Sequence, residues 1–278
     1  MEIDKVKTFW NNRPCNIKHS VNDIGTKKYF DEVEQRRYFV EPHIRTFAEF
    51  DKWKGKRVLE IGCGIGTDTI NFARYGAFVD AVDISEKSLN IAINRANIFQ
   101  LDHKINFFLL SAEELTKNPV ISKTKYDLIY SFGVLHHTPN PFLAFSEIKK
   151  LCCPETVIKI MLYNKFSIRS LEMFFEQVFN SGLGNIKKFA SNNSEAQKGC
   201  PYTYVYGSRE IKKVLSGFGF DCSVSIKHIF PYNIFEYIKH NYVKKWYYRY
   251  MPSFVYDFLY NCFGWHLLID AHVRNDNV

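Results

Sequence analysis

The sequence has no Cys-x-x-Cys pair, and its seven cysteines cannot all pair with one another. That excludes a zinc ribbon and argues against a disulfide framework. No secretory apolar run occurs at the start, MEIDKVKTFW, which is polar. No apolar run is long and clean enough to cross a bilayer either. The nearest approach, SFVYDFLYNCFGWHLLI, is broken by Asp257, Asn261 and Gly264. Runs of five or more Lys or Arg are missing, although the formal net charge is +8. The charge therefore reads as a basic surface and not as a nucleic-acid tail. The chain also has no internal repeat and no low-complexity segment. These absences predict a cytoplasmic globular protein without a membrane span.

What is present is a chain of 278 residues, 46% hydrophobic and 17% aromatic. Such a chain can bury a sizeable core and still line a pocket with rings. Residues 1–50 predict a helical cap, with Pro42 starting or bending its last helix. From Arg57 short apolar runs alternate with helical stretches. The runs are RVLEIG, FVDAVDIS, INFFLLS, YDLIYSFGVL and TVIKIMLYN. Strands buried on both faces and alternating with helices predict an open, mostly parallel α/β sheet. After a substrate-side insertion over 165–207, containing a helix in SIRSLEMFFEQVF, two more strands follow in DCSVSIKHIF and WHLLIDAHV. The organisation predicted is a cap (1–50), a core (51–164), that insertion, and the end of the sheet (208–278). Within the last part, 231–263 is a basic, aromatic insertion.

VLEIGCGIGTD, Val58 to Asp68, carries the most information. Its glycines fall at Gly62, Gly64 and Gly66. A dinucleotide fingerprint would need its third glycine at position 67, which is Thr67. Glu60, on the strand before the loop, suits a ligand with positive charge better than a pyrophosphate. The segment resembles motif I of class I S-adenosylmethionine-dependent methyltransferases. The resemblance implies a Rossmann-like, seven-stranded, mostly parallel sheet and S-adenosylmethionine as cofactor. It implies further that Gly62, Cys63, Gly64 and Gly66 approach the methionine part and that Glu60 helps hold its ammonium. Asp83, in AVDIS, would take the ribose hydroxyls, and Ile84 would pack on adenine. Ala112 and Glu113 are candidates for the adenine amino group, since the family often has Asp where this chain has Ser111. Ser131, Phe132 and Gly133 should lie under the methionine part.

Displacement at a sulfonium mainly needs alignment, and a base only for a weakly acidic acceptor or a protonated amine. His136 and His137 follow the fourth strand at the sheet edge where open α/β sheets bind ligands, and are the candidate bases. Tyr163 and Asn164 end the fifth strand at the same edge. Tyr202, Tyr204 and Tyr206 alternate as in a short strand and would help enclose the acceptor. In FWNNRPCNIKHS, Phe9 and Trp10 read as anchors of the cap, Pro14-Cys15-Asn16 as its turn, and His19-Ser20 as facing the acceptor. His43 would approach the cofactor if the cap folds over the core; the other reading is a structural histidine. No metal is expected, since no ligand spacing occurs. The expected function is methyl transfer to an oxygen or nitrogen of a small molecule, a sugar or glycan precursor or a specialised metabolite. The rivals are an RNA or protein methyltransferase, a nicotinamide oxidoreductase, and a non-catalytic cofactor-binding subunit. No nucleic-acid partner is expected. Segment 231–263 reads as a lid, a homodimer surface or a peripheral membrane contact.

Overall fold

Seven runs of apolar residues pair into one sheet. They are β1 (Arg57–Ile61), β2 (Phe78–Asp83), β3 (Ile105–Leu109), β4 (Leu128–Phe132), β5 (Val157–Tyr163), β6 (Phe220–Lys227) and β7 (His266–Val273). The computed structural model describes residues 2–173 and 199–274. The part of the expected SIRSLEMFFEQVF helix after residue 173, the expected polar stretch after 180 and most of the 165–207 insertion lie outside the described residues. Strand order is β3-β2-β1-β4-β5-β7-β6. The first five strands run parallel, and β7 lies antiparallel between β5 and β6. The seven-stranded, mostly parallel sheet read from the sequence is the sheet observed.

The period of two along each strand sends neighbours to opposite layers. From β1, Leu59 and Ile61 enter a core with Val82, Ile129, Phe145 and Ile158. Val58 enters the other layer with Phe72, Val79 and Tyr130. Along the edge strand β6, which begins at buried Phe220, exposed residues mostly alternate with partly buried ones, because one face is open.

Three helices precede the sheet: α1 (Glu2–Asn12), α2 (Lys27–Val40) and α3 (His43–Ala48). Thr26 caps α2 by accepting the Tyr29 N–H, and Pro42 directly precedes α3. Helices α4 (Thr67–Arg74), α5 (Glu86–Ile98), α6 (Pro119–Lys123), α7 (Pro141–Leu151) and α8 (Ser208–Gly217) accompany the strands. Ser85 caps α5, and Asn140 followed by Pro141 starts α7. Segment 231–263 forms α9 (Ile234–Ile238), α10 (Trp246–Arg249) and α11 (Ser253–Cys262). It packs on α2: Phe39 meets Tyr242 with centroids 4.7 Å apart, and the Arg36 guanidinium lies 4.1 Å over the Tyr237 ring.

The tyrosine alternation at 202–206 is not a strand. Its backbone N–H groups go to different places: Tyr204 donates to the His136 carbonyl and Tyr206 to the Tyr163 carbonyl, each at 2.9 Å. Among the described residues the only sheet-like contact of this tract is one bridge, Tyr206 to Asn164.

Candidate functional site

The loop between β1 and α4 sits where strand order reverses, between β1 and β4, the position at which open α/β sheets take ligands. Gly62 turns the chain with φ +78°, and a Cβ there would lie 2.1 Å from a Val134 methyl. The Gly62 and Cys63 N–H groups both donate to the Val82 carbonyl. Gly64 also has positive φ, and a Cβ on it would meet no heavy atom within 4 Å. Its N–H donates to one Asp83 oxygen, and the Ser85 N–H donates to the other, both at 2.8 Å. The glycine loop and the Asp83 carboxylate are thereby fixed to each other beside an open space.

That space is a cavity lined by Glu60, Gly62, Cys63, Gly64, Asp83, Ile84, Ala112, Phe132, His137 and Tyr163, all singled out in the sequence. Ser111, Gly133 and Cys15 join them. Other candidates are placed elsewhere. Gly66 packs under Ala92 at the start of α4. Glu113 accepts the Asn140 N–H at 2.6 Å. Tyr206 is buried in the hydrophobic core and does not line the cavity. His19 does not face the cavity: its ring meets Tyr237 of the 231–263 segment, 6.4 Å away, and Ser20 donates to Glu32. The turn at Asn16, with φ +65°, directs the chain toward α2 before His19 can reach the cavity.

Of the two candidate bases, only His137 reaches the cavity wall. His136 is fully buried, with neither ring nitrogen bonded among the described residues. The His137 Nδ1 lies 3.0 Å from the Tyr202 carbonyl, so Nδ1 carries the proton and Nε2 presents its lone pair. Nε2 has no partner among the described residues. Burial brings the His137 pKa down to about 4, with the Tyr202 bond working against that. The ring is neutral at physiological pH. Cys15 is no nucleophile, because burial and then the Asp83 charge push its thiol up to about 12.

The floor of the cavity holds a charged network that the sequence reading missed. Arg37 donates to Asp68 at 2.9 Å, and Asp68 also accepts from Tyr38 and Tyr130. Glu41, burial-shifted to about 7, lines the same wall. Glu60 accepts from Thr69 at 2.5 Å. Burial first, and then the Asp68 charge, push its carboxyl well up. The missed signal was on α2 and its C-cap: Phe30, Val33, Arg37 and the capping Glu41 follow helical spacing, so two charges continue an apolar stripe. Among the described residues, one further cluster, His43, His228 and His266, brings ring nitrogens within 4.8 Å of one another. No local spacing announces it, because its members come from three distant parts of the chain.

Residues 33–223 match the family described as a methyltransferase domain. The chain belongs to that family. The methyltransferase domain has curated relatives named ubiquinone biosynthesis O-methyltransferase. The protein from Aromatoleum aromaticum is 34% identical over 100 residues, 36% of this chain and 41% of that protein. The one from Coxiella burnetii is 39% identical over 88 residues, 32% of this chain and 35% of that protein. The match thus spans less than half the length of these relatives. Among solved structures, magnesium protoporphyrin IX methyltransferase from Synechocystis PCC 6803, with bound SAH, has TM-score 0.61 and 16% identity. It covers 97% of this chain and 98% of its own. A (4+2)-cyclase, SpnF, has TM-score 0.55 and 17% identity, covering 98% and 94%. At such identities the likeness carries the fold alone, and the two reactions named on it show that the methyltransferase frame serves more than one chemistry. Among the described residues no helix is long and apolar enough to cross a membrane.

Proposed function

We propose that the chain transfers a methyl group from S-adenosylmethionine to an oxygen of a small molecule. One observation carries this reading. A single cavity is lined by Gly62, Gly64 and the fixed Asp83, together with His137, whose Nε2 has no partner among the described residues. The residues fit the cofactor: Asp83 would accept from the ribose hydroxyls, Gly64 leaves room for close approach, and Glu60 would hold the ammonium. When bound, the cofactor supplies a methyl on a sulfonium, a good leaving group. The chain's own part is alignment and proton removal. His137 Nε2 would take the acceptor's hydroxyl proton, with the Tyr202 carbonyl holding the resulting imidazolium at Nδ1. Trp10, whose ring lies 5.5 Å from that of His137, and Val6 close the cavity from α1 and exclude water. The relatives' names support oxygen as the acceptor atom, and the cover that Val6 and Trp10 place over the cavity supports a small acceptor over RNA or a protein.

The test is incubation of the purified chain with S-adenosylmethionine and a panel of small hydroxylated acceptors, with methylated products read by mass spectrometry. Thermal stabilisation by NAD(H) and not by S-adenosylhomocysteine would overturn the reading. Segment 231–263 is proposed as a lid, because its inner rings clamp α2 beside the cavity. Its outer face exposes Phe235, Trp246, Tyr250 and Phe254. Sedimentation velocity and flotation with anionic vesicles separate a dimer from a membrane contact there.

A further inference from the structure

We propose that His43, His228 and His266 bind one divalent first-row transition cation of the zinc class. The three come from separate elements: His43 opens α3, His228 follows β6 and His266 opens β7. All are buried, and one ring nitrogen from each lies within 4.8 Å of the others. A tetrahedral ion with Zn–N bonds of about 2.05 Å spaces its ligand nitrogens about 3.3 Å apart, a distance small ring rotations reach here.

The polar contacts around the cluster resemble a ligand shell. His43 Nε2 and His266 Nδ1 face each other at 2.9 Å. Their outer nitrogens each meet an oxygen: His43 Nδ1 lies 3.2 Å from the Tyr260 hydroxyl, and His266 Nε2 lies 3.6 Å from the Glu41 carboxylate. An imidazole that gives its outer N–H to an oxygen presents a lone pair from its inner nitrogen. Without an ion, the 2.9 Å contact is an N–H···N hydrogen bond in which one of the two rings donates; a cation would displace that shared proton and take the lone pairs of both nitrogens. Outer oxygens of this kind orient histidines on metal ions. His228 contributes independently. Its Nδ1 is buried without a partner, and its backbone has φ +77°, which a side chain of this size rarely adopts. The Trp265 N–H on its carbonyl, at 2.7 Å, holds the strained turn in place.

Burial brings His43 down to about 2 and His228 to about 4, and takes His266 well below the usual range. Neutral rings are the form that binds metal. Three imidazoles without a thiolate suit zinc, iron, copper or nickel, and not magnesium or calcium. Three protein ligands leave a fourth position, filled by water or by an oxygen of a molecule in the cavity, whose wall His266 shares.

The experiment uses the full, untagged chain, stripped with a chelator and titrated with Co²⁺ in the absence of any methyl donor. It therefore stands apart from the methyl-transfer reading. The expected result is one Co²⁺ per chain, with the visible absorption of a four-coordinate nitrogen–oxygen site, no sulfur-to-cobalt charge transfer, and displacement by Zn²⁺. His43→Gln and His228→Gln should each weaken binding at least tenfold. His272→Gln, on the exposed side of β7, should leave it unchanged. Circular dichroism of each variant checks folding. Absence of stoichiometric Co²⁺ and Zn²⁺ binding by the unmodified chain overturns the proposal, as does undiminished binding in a folded His228→Gln variant.

Discussion

At the scale of single residues, the site divides by how its parts are specified. Asp83, Gly62 and Glu60 were legible because each sits at a fixed distance along one βαβ unit, where spacing in sequence sets spacing in the fold. Arg37, Glu41 and Trp10 reach the same cavity from helices ahead of the sheet, and no local spacing ties them to it. Asp83→Ala removes an acceptor held by two backbone N–H groups and aimed into the cavity. Calorimetry should show S-adenosylhomocysteine bound about 10- to 100-fold more weakly. Glu60 makes a different prediction. Its raised pKa means that it holds a proton near neutrality, and an ammonium beside it would expel that proton. Calorimetry near pH 7 in buffers of different ionisation enthalpy should show net proton release on binding, and Glu60→Gln should abolish it. For His137, a pKa of about 4 leaves the base form complete above about pH 5. Turnover should thus show no histidine limb between pH 6 and 8. His137→Gln should lower kcat by about 10²-fold with little change in donor KM. His136, buried away from the cavity, should affect thermal stability instead.

Among elements, the strands were readable because burial on both faces leaves a continuous apolar run that few other structures produce. The aromatic tract at 199–207 was not readable as irregular chain, since alternation alone does not reveal where backbone N–H groups go. The helix α1 shows what an N-terminal element adds. Asn11 accepts from the Ser85 hydroxyl at 3.0 Å and from the Lys87 N–H at 3.2 Å. It thereby ties α1 to the start of α5, two residues beyond Asp83. Ile3, Val6 and Trp10 of the same helix line the cavity. Trp10→Ala should speed the release of S-adenosylhomocysteine about tenfold in stopped-flow measurements, and removal of residues 1–20 should exceed that effect. If both leave the release rate unchanged, α1 is not the closing element.

For the molecule as a whole, acid sensitivity follows from its buried histidines. His43, His136, His137, His228 and His266 are all neutral in the fold, with pKa values pulled down by burial. The unfolded chain takes up their protons once the pH falls below about 6.5. The stability these groups contribute is therefore complete above that pH and is lost as the pH falls from there toward each folded value, about 4 for His137 and His228 and about 2 for His43, at about 1.4 kcal/mol per group per pH unit. Glu41 and Glu60, raised by burial, work in the opposite direction and blunt the slope. The histidines outnumber them, so calorimetry should find Tm at pH 5 more than about 10 °C below that at pH 7.

The placement of β7 between β5 and β6 has a consequence for how the chain is made. In order of synthesis β7 leaves the ribosome after the other six described strands, yet it pairs with neighbours on both sides. Until it emerges, the open side of β5 and the whole of β6 have no partner, and the nascent chain presents unpaired strand edges that invite aggregation. A chain cut before residue 266 would keep its glycine loop and Asp83 but remain in that unfinished state.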